Sequence, residues 1–347
     1  MTLEEQVKEF QGRTVFITGA DGFMGSHLTE ALVGAGARVH VFVRVGSGRH
    51  LKHLGHLRDR LTIHWGDLTD HHSVATALEA LRGAQDRPFI FHLAAQPHVV
   101  DSWERPYETV AVNILGTLHL LQGVVDMGLE LQKFFLAGSS TEYDARVQAN
   151  RQTLGVEAPL RPQSIYGSTK AASEFLAINF FEAYGVPTIV ARMFNHYGPR
   201  QQPRYITGTV IAQALTGPVV KLGSLTPRRD FSFCLDGVSA YVAMALRGEP
   251  GEVYTYGQGV SCSMEEWARL ILSIGQEEGF WAHREIVSDA QRVRPSHSEV
   301  TDLSADSSKL RHDTGWGPTF SWEEGLRQTI RWYGDHRAWW EGLLEWR

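Results

Sequence analysis

The first half of the chain alternates short apolar runs with segments of helical periodicity. Strands that are buried on both faces read as continuous apolar runs, and such runs occupy residues 14–18, 38–43, 61–64, 89–93, 134–137 and 188–192. Apolar positions with helical spacing lie between them, at residues 28–33, 115–125 and 168–183. This order of elements predicts βαβ units built around a parallel sheet.

From about residue 195 the pattern is less regular, because prolines interrupt it at positions 199, 203, 218, 227 and 250. Such a half suits a smaller lobe that covers a substrate. We therefore expect one unit over residues 1–194 and, over residues 195–347, a lobe that is mainly separate. Elements near residues 230–256 are expected to return to the sheet.

The stretch RHLKHLGHLRDRL carries four leucines on one helical face, which predicts a helix packed on the core: Leu51, Leu54, Leu57 and Leu61. Three histidines share this stretch, His50, His53 and His56. They lack further ligands and a supporting shell, so we expect them to be solvated and expect no metal site.

Composition excludes several classes of protein. The chain has 347 residues, 43% of them hydrophobic, which is enough for a full core. A formal net charge of -6 provides no basic field for a nucleic-acid partner. Two cysteines, Cys234 and Cys262, are too few for a disulfide framework, and the N-terminus has no apolar leader. We expect a cytoplasmic protein with no membrane partner.

A glycine-rich loop follows the first predicted strand directly. In GADGFMG, Gly19 allows the tight turn, Gly22 lets the backbone approach a pyrophosphate, and Gly25 lets the next helix pack on the strand. The intervening Asp21, Phe23 and Met24 are counted with this cofactor loop. The phosphate is then expected at the helix N-terminus. The prediction is an α/β fold with a Rossmann-type doubly wound parallel sheet and a smaller C-terminal substrate-binding lobe.

The end of the second predicted strand bears on the choice of cofactor. NAD sites usually carry a carboxylate there, whereas an arginine accommodates the 2′-phosphate of NADP. This position holds Arg44, with Ser47 and Arg49 close behind and no carboxylate. Arg44 is alternatively a surface charge at a strand end. We favour NADP(H), with NAD(H) as the other choice.

Tyr166 and Lys170 stand four residues apart at the start of a helix and share one face. An ammonium near the phenol lowers the tyrosine pKa, so that Tyr166 accepts a proton from a sugar hydroxyl. With the glycine loop, this pair resembles the extended short-chain dehydrogenases/reductases that modify nucleotide sugars. The resemblance continues through GDLTD, FHLAAQPHV, NILGT, ARMFNHYGPR, LGSLTPRRDF and RVRPSHSEV, and is greatest to GDP-mannose 4,6-dehydratase and related dehydratases.

The resemblance implies further roles. Asp67 and Leu68 would flank the adenine, and Leu93, Ala94 and Ala95 would line the cofactor cleft. Lys170 would also hold the nicotinamide ribose. The nucleotide-diphosphate sugar would contact Gln96, His98, Asn195, Arg200, Lys221, Arg229, Arg294 and Glu299. Guanidinium groups suit a diphosphate, although Arg229 alternatively pairs with Asp230 or Asp236. The cofactor would be tightly bound and recycled, and a homodimer or homotetramer is expected.

The stretch GSSTEYD admits two registers against the family motif, in which a hydroxyl residue precedes a dehydratase glutamate by two positions. Without a gap, Ser139 is the hydroxyl, Ser140 follows, and Thr141 replaces the glutamate. With a one-residue insertion, Ser140 is the hydroxyl and Glu142 becomes the base. We prefer the ungapped register, in which no carboxylate removes a C5 proton.

The shared first step is oxidation of a nucleotide hexose to a transient 4-keto sugar, with Tyr166 as the proton acceptor and Ser139 on the same oxygen. The preferred register then favours C4 epimerisation of a GDP- or UDP-hexose. The alternative is 4,6-dehydration of the GDP-mannose type. UDP-glucuronate decarboxylation and keto-sugar reduction rank lower, and a non-catalytic dinucleotide sensor would not keep both Tyr166 and Lys170.

Overall fold

A computed structural model describes residues 1–47, 50–144, 153–289 and 302–343. These residues form fourteen strands: β1 (Thr14–Thr18), β2 (Arg38–Arg44), β3 (Leu61–Gly66), β4 (Phe89–His92), β5 (Lys133–Ala137), β6 (Thr188–Met193), β7 (Asn195–Tyr197), β8 (Val219–Leu222), β9 (Arg228–Arg229), β10 (Phe231–Phe233), β11 (Val253–Tyr256), β12 (Cys262–Ser263), β13 (Glu285–Ser288) and β14 (Asp302–Leu303).

The α-helices of the described residues are α1 (Leu3–Val7), α2 (Phe23–Gly34), α3 (His71–Glu79), α4 (Val99–Glu104), α5 (Pro106–Val110), α6 (Gly116–Asp126), α7 (Ile165–Tyr184), α8 (Ile206–Thr216), α9 (Cys234–Arg247), α10 (Met264–Glu277), α11 (Ser308–Thr314), α12 (Trp322–Asp335) and α13 (Arg337–Glu341). A π-helical turn, Ala111–Leu115, connects α5 to α6. Short 3₁₀ turns lie at Lys8–Phe10, Val45–Ser47, Gly55–Arg60 and Ser140–Glu142.

Seven strands form one parallel sheet in the order β11-β6-β5-β4-β1-β2-β3. Alternate residues of β1 enter different cores, with Val15 and Ile17 on one face and Phe16 on the other. Helices α1, α2 and α9 pack on the first face, and α3, α6 and α7 on the second. The predicted Rossmann-type doubly wound sheet is confirmed.

The second half of the chain contributes both to the large sheet and to a separate C-terminal core. Strand β11 pairs with β6 at the sheet edge, and α9 packs against β5 and β6. Helices α8, α10 and α12 enclose a separate core that contains Trp267, which stacks on Phe231 with ring centroids 4.2 Å apart. Two-stranded pairs β7–β10 and β8–β13 and the three-stranded β12-β9-β14 complete it. The division at residue 194 stays a prediction.

The helix predicted from the leucines at 51–61 is wrong. Leu61 begins β3, and the residues before it form a bend and the 3₁₀ turn Gly55–Arg60. Leu54 is nevertheless fully buried, and the other three leucines pack against the same core. The apolar spacing therefore predicted the burial of these leucines correctly and their helical structure wrongly. Hydrogen bonds to the carboxylate of Asp21, which is distant in sequence, hold this loop instead.

One helical stretch of the described residues, Pro106–Asp126, is long and apolar enough to cross a membrane by length and composition alone. Core helices of soluble proteins pass the same test, and 44% of this stretch is buried inside the protein. The expected cytoplasmic location stays a prediction.

Candidate active site

A cavity of about 1360 Å³ opens along the carboxyl edge of β1, β2, β4 and β5 and extends to residues of the second half. Open parallel sheets bind ligands at this edge, where the order of strands reverses. Most predicted site residues line it: Gly19, Asp21, Gly22, Phe23, Met24, Gly25, Arg44, Asp67, Leu68, Leu93, Ala94, Ala95, Gln96, His98, Ser139, Ser140, Thr141, Tyr166, Asn195, Arg200, Lys221 and Arg229.

The glycine loop forms a cradle with no room for side chains. Gly19 has a φ of 69°, and a Cβ there would lie 2.7 Å from the backbone nitrogen of Ala94. A Cβ on Gly25 would lie 2.1 Å from the carbonyl oxygen of Gly19. Helix α2 begins at Phe23, and the cap residue Gly22 supplies no side chain to its first N–H groups. The loop therefore fits a pyrophosphate at a helix N-terminus.

Asp21 has a structural role that the sequence did not indicate. Its carboxylate accepts hydrogen bonds from the backbone N–H groups of Lys52 at 2.6 Å, His53 at 2.9 Å and Leu54 at 3.1 Å. This contact fixes the loop after β2 and places Lys52 and His53 on the cavity wall. His53 packs against Trp339, with centroids 5.3 Å apart, so the expectation that it is solvated is wrong.

The two neighbouring histidines behave differently from His53. His50 is exposed, and His56 lies 3.1 Å from Glu30. Within residues 1–47, 50–144, 153–289 and 302–343, no group of three or more His, Cys, Asp or Glu has the arrangement of a metal site.

Arg44 is the last residue of β2 and lines the cavity. Its Nη1 atom is 4.0 Å from Oε1 of Glu108, and its side chain is largely exposed. Asp67 accepts from the backbone N–H of Thr69 at 2.8 Å, and Leu68 is buried. Arg49, the second arginine predicted near this site, lies outside the described residues.

Strand β5 and helix α7 place the predicted catalytic pair. Ser164 caps α7 by accepting from the N–H of Gly167 at 3.0 Å, so that Tyr166 stands in the first turn and faces the cavity. Lys170 lies behind it, fully enclosed, and donates to the carbonyl of Ala137 at 2.6 Å. The glycine loop and Tyr166 therefore border one cavity, whereas Lys170 lies behind its wall.

The predicted lowering of the tyrosine pKa is wrong for the protein without a bound cofactor. Burial raises the pKa of the Tyr166 phenol, although its hydrogen-bonding neighbour Ser139 acts to lower it. Burial also lowers the pKa of Lys170 from 10.5 to about 8. Desolvation exceeds the other influences on both groups, so a further positive charge in the site is needed to favour the phenolate.

The turn Ser140–Glu142 separates the two registers of GSSTEYD by geometry. The Ser139 hydroxyl lies 2.9 Å from that of Thr141, and Ser139, Ser140 and Thr141 all line the cavity. Glu142 does not line it; its Oε1 accepts from the backbone N–H of Ser139 at 2.6 Å in a capping box.

The Glu142 carboxyl is completely buried beneath the turn. Its Oε2 lies 3.9 Å from Nε of Arg192, which pairs with Glu174 at 2.6 Å. Burial first, and then the nearby Glu174, raise the pKa of Glu142 well above its usual range. In this position Glu142 holds the turn together and does not face the cavity.

The predicted substrate-binding residues Asn195, Arg200, Lys221 and Arg229 come from the second half of the chain and line the same cavity. Arg200 has a positive φ of 71°, which is uncommon outside glycine, and its Nη2 donates to Glu30 at 2.7 Å. The carboxylates suggested as partners of Arg229 are engaged elsewhere: Asp230 accepts from the N–H groups of Gln258, Gly259 and Ala305, and Asp236 from Thr319 and Phe320. Arg294 and Glu299 lie outside the described residues.

Several cavity residues were missed by reading the sequence: Lys52, His53, Gln163, Ser164, Arg204, Tyr205 and Trp339. Arg204 and Tyr205 precede α8, in the proline-interrupted half where periodicity carried little information. Asp101, also missed, stands three residues after His98 in the first turn of α4, a spacing that could have indicated their contact.

The chain is similar in sequence to known nucleotide-sugar dehydratases over most of its length. A family model described as GDP-mannose 4,6 dehydratase matches residues 16–329. A dTDP-glucose 4,6-dehydratase of Streptomyces griseus is 31% identical over 95% of this chain and 97% of its own length. GDP-mannose 4,6 dehydratase 1 of Arabidopsis thaliana is 30% identical over 92% of this chain and 89% of its own length.

Solved structures resemble more than nine-tenths of the chain. A dTDP-glucose 4,6-dehydratase from Streptomyces venezuelae, solved with NAD bound, gives a TM-score of 0.84 at 25% identity over 95% of this chain and 99% of its own. RMD from Pseudomonas aeruginosa, complexed with NADPH, gives 0.77 at 25% identity over 93% and 99%. A UDP-glucose 4-epimerase from Thermotoga maritima, solved with UDP-glucose, gives 0.80 at 26% identity over 93% and 99%.

Proposed function

The chain belongs to the GDP-mannose 4,6-dehydratase family, and on that premise we propose that it converts a nucleotide-diphosphate hexose to its 4-keto-6-deoxy derivative with loss of water. The observation that carries the proposal is the placement of Tyr166 and Ser139 in one cavity with the glycine cradle. Relatives named as 4,6-dehydratases align along more than nine-tenths of the chain and support the reaction type.

The chain's own residues prepare the first step at C4 of the sugar. Tyr166 accepts the proton of the C4 hydroxyl, and Ser139 donates a hydrogen bond to the same oxygen. Lys170 holds its ammonium behind the phenol by its contact with Ala137. When bound, the nicotinamide cofactor supplies the chemistry of taking up a hydride from the sugar and returning it. The glycine loop holds its pyrophosphate.

The initial preference for C4 epimerisation is not supported by these relatives, and the dehydratase alternative fits them better. That preference rested on Thr141 standing where the family glutamate belongs. The structure indeed turns Glu142 away from the cavity, but the loss of one carboxylate does not exclude another acid–base group. UDP-glucose 4-epimerases share the fold, so the fold alone does not distinguish the reactions.

For the cofactor, we retain NADP(H) over NAD(H). Related structures contain either form, and the support for NADP(H) is Arg44 at the end of β2. The carboxylate of Glu108, 4.0 Å from Arg44, would repel a 2′-phosphate. The preference for NADP(H) therefore requires that the attraction of Arg44 for this phosphate exceed the repulsion by Glu108.

The proposal is tested by incubating the purified protein with dTDP-glucose, GDP-mannose and UDP-hexoses and measuring product mass. A product lighter than its substrate by one water supports dehydration. A product of unchanged mass but altered C4 configuration would return the chain to epimerisation. Release of carbon dioxide from UDP-glucuronate, or steady consumption of reduced cofactor, would identify the lower-ranked activities.

A further inference from the structure

Two neighbouring residues of α13, Trp339 and Trp340, have different surroundings. Trp340 is fully buried in the C-terminal core, where its Nε1 donates to the carbonyl of Tyr333 at 2.8 Å. Trp339 is half-buried, packs edge-on against Trp332 and lines the cavity. One indole therefore anchors the helix, and the next indole is presented to the cavity.

A contact between Trp339 and His53 joins α13 to the part of the chain that packs on the large sheet. The centroids of the two rings are 5.3 Å apart. His53 is followed by Leu54, which is fully buried in the core on one face of the sheet. The two rings thus meet between Trp340 and Leu54, which are fixed in separate cores, and both rings line the cavity.

The loop that carries His53 is also attached to the glycine cradle. The carboxylate of Asp21, the third residue of GADGFMG, accepts from the backbone N–H of His53 at 2.9 Å and from the N–H groups of both its neighbours. Helix α2 begins two residues after Asp21, at Phe23. Trp339 is therefore linked through His53 to the loop that fits a pyrophosphate.

Arg200 marks this part of the cavity as a place for an anion. Burial first, and then the nearby charge of Arg200, lower the pKa of His53 to about 3, so the guanidinium is close to a neutral imidazole. Nη1 of Arg200 is buried and has no hydrogen-bond partner within the part of the chain that the structure describes. A buried donor without a partner is costly, and a phosphate oxygen would satisfy it.

We propose that the contact between Trp339 and His53 retains the nicotinamide cofactor, by closing the cavity beside the pyrophosphate from the side of the C-terminal core. The inference requires only that the cradle binds the cofactor, so it does not depend on whether the bound sugar is dehydrated or epimerised. A cofactor that is reduced and reoxidised within one catalytic cycle has no need to leave the protein. The two residues act on the rate of its dissociation and make or break no bond.

The test measures the release of reduced cofactor from the purified protein. Protein loaded with NADPH or NADH is mixed with a large excess of the oxidised form, and the fluorescence of the bound nicotinamide is followed as it leaves. A contact between two aromatic rings is strong enough to change an opening equilibrium about 2–10-fold. Trp339→Ala and His53→Ala should each increase the dissociation rate by about that factor. Trp339→Phe keeps an aromatic ring and should release the cofactor near the native rate.

A double variant distinguishes one shared contact from two separate effects. Because Trp339 and His53 act through the same contact, the variant with both alanines should release the cofactor no faster than either single variant. The control is His336→Ala, on an exposed histidine that stacks on Trp332 in the same segment and does not line the cavity. It should leave the dissociation rate unchanged.

A native dissociation rate in a folded Trp339→Ala would overturn the inference. Rates that multiply in the double variant would also overturn it, since each residue would then act alone. If Trp339→Ala does not fold, His53→Ala decides the question, because it keeps the backbone N–H that binds Asp21. A native protein that binds neither cofactor would contradict the cradle assignment and this inference together. Product mass tests the proposed function separately.

Discussion

The Lys170 ammonium donates a hydrogen bond to the backbone carbonyl of Ala137 at 2.6 Å, which joins α7 to the end of β5. This contact fixes the helix that carries Tyr166 relative to the turn that carries Ser139. It also keeps an ionisable amine in a fully enclosed position, where burial lowers its pKa to about 8.

Tyr166→Phe should abolish nearly all oxidation at C4, because it removes the proton acceptor while preserving the ring. General-base catalysis contributes about 10²–10⁴-fold, and a loss in that range is expected in the rate at which substrate reduces the cofactor. Tyr184→Phe, on an exposed tyrosine at the end of the same helix, is the control. Native turnover by Tyr166→Phe, with substrate still bound, would remove Tyr166 from its assigned role.

Lys170→Met should flatten the dependence of stability on pH. Because the folded-state pKa of Lys170 is about 8 and the unfolded value is 10.5, the folded protein holds fewer protons between these values. The free energy of unfolding of the cofactor-free protein should therefore rise with pH across this window, and Lys170→Met should lose that contribution together with turnover. Denaturant titrations at several pH values measure it.

Lys133→Met is the matched control, since Lys133 donates to the carbonyl of Gly248 at 2.7 Å and burial also lowers its pKa, but it lies outside the cavity. It should affect stability and leave turnover intact. If the free energy of unfolding of Lys170→Met depended on pH as that of the native protein does, Lys170 would not be desolvated in the native protein.

Glu142→Gln should retain dehydration, because a glutamine oxygen still accepts from the Ser139 N–H and no proton transfer is assigned to this residue. Glu142→Ala leaves that donor unpaired and should destabilise the protein by about 1–3 kcal/mol, before any cavity effect. Thermal unfolding and product mass distinguish the two substitutions. Selective loss of dehydration in a folded Glu142→Gln would make Glu142 the base and contradict its structural role in the turn.

Arg44→Ala should weaken NADP(H) binding more than NAD(H) binding. A hydrogen bond to a charged group contributes about 1.5–3 kcal/mol, so a tenfold to hundredfold loss for NADP(H), with little change for NAD(H), is expected by calorimetry. Arg82→Ala, on an exposed arginine paired with Glu79, is the control. Tighter binding of NAD(H) than of NADP(H) by the native protein would reverse the proposed preference.

The large sheet was predictable because strands buried on both faces leave continuous apolar runs, and β1 begins and ends where the sequence pattern indicated. The loop at residues 51–54 was not predictable, because its shape depends on the carboxylate of Asp21 in another segment. The glycine loop and Tyr166 were readable from local spacing. The orientation of the Glu142 side chain was not predictable from local spacing, because that orientation depends on Arg192 and Glu174, which come from two other elements.

The central claim is that this enzyme eliminates water across C5 and C6, and the most direct measurement is the product formed by the native protein in heavy water. Removal and return of the C5 proton by a solvent-exchangeable group should give a product lighter by one water that carries deuterium at C5, read by mass and proton NMR. Epimerisation at C4 breaks no carbon–hydrogen bond other than that at C4, whose hydrogen is returned without exchange. A product of unchanged mass with no carbon-bound deuterium would contradict the account.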